Sequence, residues 1–292
     1  KWLESEWNKI LKTNYAPIFE PALKLLKSLP AHPLIFNLLK KFADIAQSAV
    51  GNKVVFRHDL AGRLYHILLL RDVAKGLATY YTSIPAATIL ARLAADYVEI
   101  DWSSLDHIAR LRIVDFACGS GTLLSAMYTE IVDRYVIHTD KPDLSRLHEV
   151  LLRDVLWGFD VLDYAVHLTS TALVLRYPEQ RISYTNTYVL PLGDIGGVAY
   201  LGSLDMEIDP DRVVFPKVGT LVSTFQTPSP IRATVKEEKA LEGGLSLDRP
   251  DVIIMNPPFA RTGNVGKSSL FGHLPEADRR EVLQKLREVG SK

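Results

Sequence analysis

Hydrophobic positions along this chain change their period near residue 80. Before that point the spacing is helical. Leu3, Trp7, Ile10 and Leu11 form one amphipathic stripe. Pro17 and Pro21, then Pro30 and Pro33, are expected to separate short helices, and further helical patterns run over 34–50 and 60–78. From Tyr81 onward, short apolar runs rich in branched residues alternate with helical stretches, the pattern of a doubly wound α/β sheet. A helix is predicted from Ser83 through Ala95, with Ile89, Leu90 and Leu93 as its apolar stripe. Other predicted helices start near Thr122, run from Leu162 to Leu175, and run from Glu276 to Val289. Residues 205–250 are punctuated by Pro and Gly and read as an excursion from the sheet, with a hairpin around Val213–Phe225. The division is therefore a helical region over 1–80 followed by an α/β region over 81–292.

The segment Asp251-Val252-Ile253-Ile254-Met255-Asn256-Pro257-Pro258-Phe259 is the most telling. Val252–Met255 has the length and branching of a strand covered on both faces. Two consecutive prolines have no N–H to donate to a ladder, so the chain must leave the sheet at its carboxyl edge. Open α/β sheets place ligands at that edge. The turn offers a side-chain amide, the Pro257 carbonyl and an aromatic face, a set suited to gripping a planar base that bears an amino group.

A second segment, Leu111-Arg112-Ile113-Val114-Asp115-Phe116-Ala117-Cys118-Gly119-Ser120-Gly121-Thr122-Leu123-Leu124, takes a strand through a small-residue loop into a helix. Gly119 and Gly121 permit positive φ and close approach of a ligand to the backbone. The unpaired N–H groups at the helix start favour an anionic group. Asp115, at the strand end, suits an ammonium or amide donor.

Together, DFACGSGTLL and IIMNPPF resemble motifs I and IV of the S-adenosylmethionine-dependent N6-adenine DNA methyltransferases, in the order of the γ class. That class includes type I modification subunits and fused restriction–modification enzymes. Phe116 stands where those families have proline. The resemblance implies a Rossmann-like methyltransferase sheet, with Asp115, Ala117, Cys118, Gly119, Gly121 and Thr122 around the cofactor. It implies further that Tyr81 and Thr82, within Thr79-Tyr80-Tyr81-Thr82-Ser83-Ile84-Pro85, line the methionine part of S-adenosylmethionine, although Ser83 and Ile84 are inserted before the proline. Asp160 would take the ribose hydroxyls and Val161 would lie beside the adenine ring; Asp160 also suits a helix N-cap, and both roles can hold at once. For motif III there are two candidates, Pro191-Leu192-Gly193-Asp194 and Leu201-Gly202-Ser203-Leu204-Asp205. The second is preferred, which places Ser203 and Leu204 near the cofactor adenine.

The same resemblance implies a reaction. Asn256, Pro257, Pro258 and Phe259 would form the catalytic turn, which accepts the amino hydrogens of a flipped adenine and stacks on its ring. Relatives that methylate guanine N2 in RNA or glutamine side chains in proteins share both motifs. A DNA-binding subunit that keeps the fold without catalysis is an alternative of another class. Intact Asn256 argues against that subunit, and the Tyr-Tyr-Thr run, the helical N-terminal region and the phenylalanine at 259 favour DNA adenine.

Composition narrows the choice. The chain has 292 residues, 47% hydrophobic content, mean hydropathy +0.06 and formal net charge zero. No apolar run approaches a membrane span, and no signal peptide is visible. The one cysteine, Cys118, excludes an intrachain disulfide and fits a reducing cytoplasm. It lies within the cofactor loop, whereas cytosine-C5 methylation needs an attacking cysteine in another context. Eight histidines show no metal-ligand spacing, so no metal is expected. Neutral charge is awkward for a DNA binder, but Arg261, Lys267, Arg279, Arg280, Lys285 and Arg287 follow the catalytic turn. Gly263-Asn264-Val265-Gly266-Lys267-Ser268 mimics the end of a phosphate loop, yet Arg261 occupies the place of its first glycine. The expected partners are double-stranded DNA and a specificity or restriction subunit. The chain opens at Lys1 and ends soon after the Asn-Pro-Pro-Phe turn, so it reads as part of a longer protein.

Overall fold

The computed structural model describes residues 2–13, 16–50, 82–182, 184–195, 198–208, 211–215, 232–233, 245–257 and 276–290. Tyr81, Pro258, Phe259, the helical pattern over 60–78, the basic residues Arg261 and Lys267, and the Gly-Lys-Ser run lie outside the described residues.

Four parallel strands form the centre. In chain order they are β1 (Ile113–Asp115), β2 (Leu156–Asp160), β3 (Thr187–Val189) and, after a long excursion, β10 (Val252–Ile253). The spatial order is β10-β1-β2-β3, and an antiparallel β8 (Arg232–Ala233) closes the far side on β3. Register is set by Ile113 opposite Val252 on one side and Leu156 on the other. Because the four are parallel, every one of them ends at the same edge.

One face of this sheet carries helices. These are α4 (Ile84–Asp96), α5 (Leu105–Arg110), α6 (Thr122–His138), α7 (Leu144–Val150) and α8 (Asp163–Val174), with a π turn over Leu151–Val155 leading into β2. Ile113 and Leu156 join Leu124, Met127, Ile131 and Leu173 in the larger core. The opposite face holds Val114, Phe159 and Tyr188, as the period of two requires. There the cover is β-structure: β6 (Glu207–Ile208), β7 (Arg212–Phe215) and β9 (Leu245–Asp248) form an antiparallel sheet whose Val213, Leu245 and Leu247 pack on those residues. A separate hairpin, β4 (Leu192–Ile195) with β5 (Val198–Leu201), receives the last helix, α9 (Glu276–Gly290), through Val282, Leu283 and Leu286.

The N-terminal helices are α1 (Trp2–Thr13), α2 (Ala16–Ser28) and α3 (Pro33–Val50). Trp7 meets Phe19 edge-on at 5.9 Å, and Leu23 of α2 is buried, with α2 lying against α8. The N-terminal region is thus docked on the α/β region. No described helix is long and apolar enough to cross a membrane.

Four expectations from the pattern need correction. Pro21 does not separate helices, since α2 runs through it at its sixth residue without the bond its missing N–H would make. The first strand of the hairpin expected over 213–225 is instead flanked by β6 before it and β9 after it, and residues 216–225 lie outside the described ones. Val252–Met255 is not covered on both faces: Ile254 is buried, whereas Ile253, on the other face, is 57% exposed. Among the described residues β10 has a neighbour on one side only. Finally, α4 buries Ala87, Ala91 and Ala95, whereas Ile89, Leu90 and Leu93 face outward. The small stripe recurs every four residues and lets α4 lie close against α6, its most extensive contact.

That contact makes a distinction in stability. Ala91→Leu should lower the unfolding free energy by about 1–3 kcal/mol through overpacking, whereas Leu90→Ser should change it by less than about 0.5 kcal/mol. Urea denaturation of both variants checks this; equal losses would contradict the assigned faces.

Candidate functional site

Three strand ends meet at the carboxyl edge. Asp115 ends β1, Asp160 ends β2, and Asn256 follows β10 after Ile254 donates its N–H to the Val114 carbonyl at 2.9 Å. Between β1 and α6 runs the loop 116–121. Gly119 has φ +54° and Gly121 φ +80°, so both occupy the left-handed region that favours glycine. At Gly121 a side chain would also strike Thr169, whose Oγ1 stands 2.9 Å from the place of a Cβ. Above Gly119 the nearest atom would be the Ala117 carbonyl oxygen at 4.0 Å, so the backbone there is open to approach. Gly121 is also the N-cap of the 17-residue α6, with no side chain capping it. The helix start therefore presents N–H groups to whatever lies over the loop.

The loop is pinned from two sides. Asp160 Oδ2 accepts from the Gly119 N–H at 2.9 Å, and its Oδ1 accepts from the Leu162 N–H at 3.0 Å. The Cys118 N–H donates to the Phe159 carbonyl at 2.8 Å. From α8, Thr169 donates its hydroxyl to the Gly119 carbonyl at 3.0 Å. Nothing in the pattern of α8 marked Thr169; its role depends on α8 crossing beneath the loop, which becomes visible only once the chain is folded. Phe116, in place of proline, is buried and stacks on Phe159 at 5.6 Å, and Phe159 stacks on Tyr188 at the same distance.

The second motif III candidate lies against this loop. Ser203 donates its hydroxyl to the Phe116 carbonyl at 2.7 Å. Gly202 has φ +65°, and a Cβ there would lie 2.8 Å from Val161 Cγ1. Leu204 is half exposed beside them. Leu192 and Gly193 of the first candidate belong instead to strand β4. Farther out, Lys285 of α9 pairs with Asp205 and sits 5.6 Å over the Tyr200 ring, and Arg280 pairs with Glu276.

Electrostatically the site is acidic. Asp115 is 1% exposed, and burial pushes its carboxyl up to about 8; the Ala117 N–H on Oδ1 opposes that shift and the Asp160 charge adds to it. Asp160 is partly accessible and is also raised by desolvation, against the pull of the Gly119, Leu162 and Val161 N–H groups. Among the described residues no cation contributes to either shift. Burial, Asp160 and Asp115 together hold the Cys118 thiol well above its ordinary value, so it stays neutral at pH 7. Two acids with no cationic partner among the described residues, beside open glycine backbone and a helix start, suit a ligand that carries a positive group and a negative one.

Across the edge, Asn256 donates from Nδ2 to Thr82 Oγ1 at 3.1 Å, joining residues 174 apart in sequence. Pro257 is exposed beside it. Among the described residues no group of three or more His, Cys, Asp or Glu could hold a metal ion. Compared with protein-family models and with curated proteins, the chain finds no match.

The raised Asp115 has a measurable consequence. The folded state keeps its proton to a higher pH than the unfolded chain does, so stability falls as pH rises from the ordinary aspartate value to about 8. Asp115→Asn keeps the acceptor for the Ala117 N–H and removes the charge. At pH 8 the variant should be the more stable, with a difference that grows by up to about 1.4 kcal/mol per pH unit across that interval. Denaturation midpoints that show no pH-dependent difference would contradict the buried acid.

Proposed function

We propose that this chain is the cofactor-binding and catalytic part of an S-adenosylmethionine-dependent methyltransferase that acts on the N6 amine of adenine in DNA. The sheet is then a Rossmann-like methyltransferase sheet, with β6, β7 and β9 covering the face opposite the helices. One observation carries the reading: Asp115, Asp160 and the open Gly119 loop share one sheet edge with Asn256. A cationic, carboxylate-bearing cofactor and an amine acceptor could meet there.

S-adenosylmethionine supplies an electrophilic methyl group when bound. The chain's own residues do the rest. Asp115, whose ionised form a bound cation favours, would offer a countercharge to the ammonium, Asp160 would offer its remaining lone pairs to the ribose hydroxyls, and Val161, Ser203 and Leu204 would flank the adenine ring. The N–H groups at the start of α6 favour the carboxylate. Asn256 Oδ1 and the Pro257 carbonyl accept the two hydrogens of the target amine, whose lone pair is otherwise delocalised into the ring. Two acceptors in that position favour the pyramidal nitrogen of the transition state over the planar ground state. Phe259 would stack on the flipped base, and the site would hold the target amine in reach of the methyl group. No general base is required before attack, since the amine sheds its proton afterwards. Double-stranded DNA is the partner, with a specificity or restriction subunit supplying sequence choice, and the setting is cytoplasmic.

Methyl transfer from labelled S-adenosylmethionine to an adenine-rich duplex tests this. The expected product is N6-methyladenine, lost in Asn256→Ala while cofactor binding persists. Transfer to guanine N2 in RNA or to a glutamine-bearing peptide instead of the duplex would overturn the substrate, and turnover retained in Asn256→Ala would overturn the mechanism.

A further inference from the structure

We infer that Thr82 is a positioning residue for the target-amine site: its hydroxyl oxygen holds the Asn256 amide so that Oδ1 faces the incoming amine. This rests on the proposed role of Asn256, and it adds a task for Thr82 beyond lining the cofactor.

An asparagine amide presents a donor and an acceptor that look nearly alike in shape. Turned by half a rotation, Asn256 would present hydrogens to an amine that also carries hydrogens, and the two would repel. Something must therefore choose the orientation. Asn256 Nδ2 donates to Thr82 Oγ1 at 3.1 Å, which spends one amide hydrogen and sends Oδ1 to the other side of the group. Both partners sit on anchored backbone. Thr82 precedes the extended Ser83 N-cap of α4, where the Ala87 N–H closes the first turn on the Ser83 carbonyl at 2.9 Å, and α4 is held against α6 by its alanine stripe. Asn256 follows Ile254, which is bonded to β1. The amide is thus held between the helix layer and the sheet, and both groups are half-buried, where a hydrogen bond faces less competition from water. Because Thr82 acts here as acceptor, its own O–H hydrogen remains available for a bond to a second group.

The test replaces Thr82 with Val, which keeps the shape and removes the acceptor, and with Ser, which restores it. Two readouts are taken. The first is the side-chain amide signal of Asn256 in a 15N–1H spectrum, assigned by its loss in Asn256→Asp. The second pairs the single-turnover methylation rate of an adenine-containing duplex with the calorimetric affinity for S-adenosylmethionine. In Thr82→Val the Asn256 amide should shift and exchange its hydrogens faster. With the cofactor saturating by its calorimetric affinity, the methylation rate should fall by roughly 10- to 100-fold, as for other misplaced reacting groups. Thr82→Ser should recover most of the rate. An amide signal unchanged in Thr82→Val would overturn the inference, as would a wild-type methylation rate in that variant at saturating cofactor. If the wild-type chain methylates no DNA adenine, the functional reading fails while the amide signal still decides whether Thr82 orients Asn256.

Discussion

Parallel pairing of β1 with β2 on one side and β10 on the other determines where the chemistry-bearing groups lie. In a parallel ladder the strands end together, so Asp115, Asp160 and the turn after Ile253 arrive at one edge although they are far apart in sequence. An antiparallel partner in place of either neighbour would send one of these groups to the opposite edge. The rest of the site elaborates this arrangement: the glycine loop spans the gap from β1 to α6, and Asp160 reaches back from β2 to fasten it at Gly119.

The carboxylates carry two duties. Asp160 accepts backbone N–H groups from Gly119 and Leu162, which shapes the loop before any ligand arrives. Among the described residues no cation stands beside Asp115, and burial favours its protonated form. Ionising a buried acid without a countercharge is costly. A cationic ligand would offset that cost, which supports the proposed use. Pre-formed backbone and unspent electrostatic potential are what a site that binds a zwitterionic sulfonium would need.

Much of the central sheet was legible in the sequence for physical reasons. β1 and β2 are short apolar runs that end in acids, and the helices that follow begin at small or polar residues, so period and punctuation agree there. Four things were not legible. Alanine at 87, 91 and 95 carries a weak hydrophobic signal, so the larger Ile89, Leu90 and Leu93 claimed the buried face; close helix packing selected the smaller set. The antiparallel β6-β7-β9 sheet joins segments from both ends of a long excursion, which no local period reveals. Thr169 acts through the crossing of α8 under the loop, and Thr82 through a contact with a residue 174 positions away. Ile253 looked like a core strand residue because the pattern cannot say whether a strand is covered on one face or on both.

The central claim is that the acidic edge with its glycine loop is a cofactor site, and binding tests it most directly. In a calorimetric titration of the chain with S-adenosylmethionine and with its demethylated product, run beside Asp160→Ala, micromolar binding is expected for the wild type. The variant loses the fastening of Gly119 and the proposed ribose contact together, so its affinity should fall at least about tenfold. No binding by the wild type, or binding undiminished in Asp160→Ala, would contradict the account.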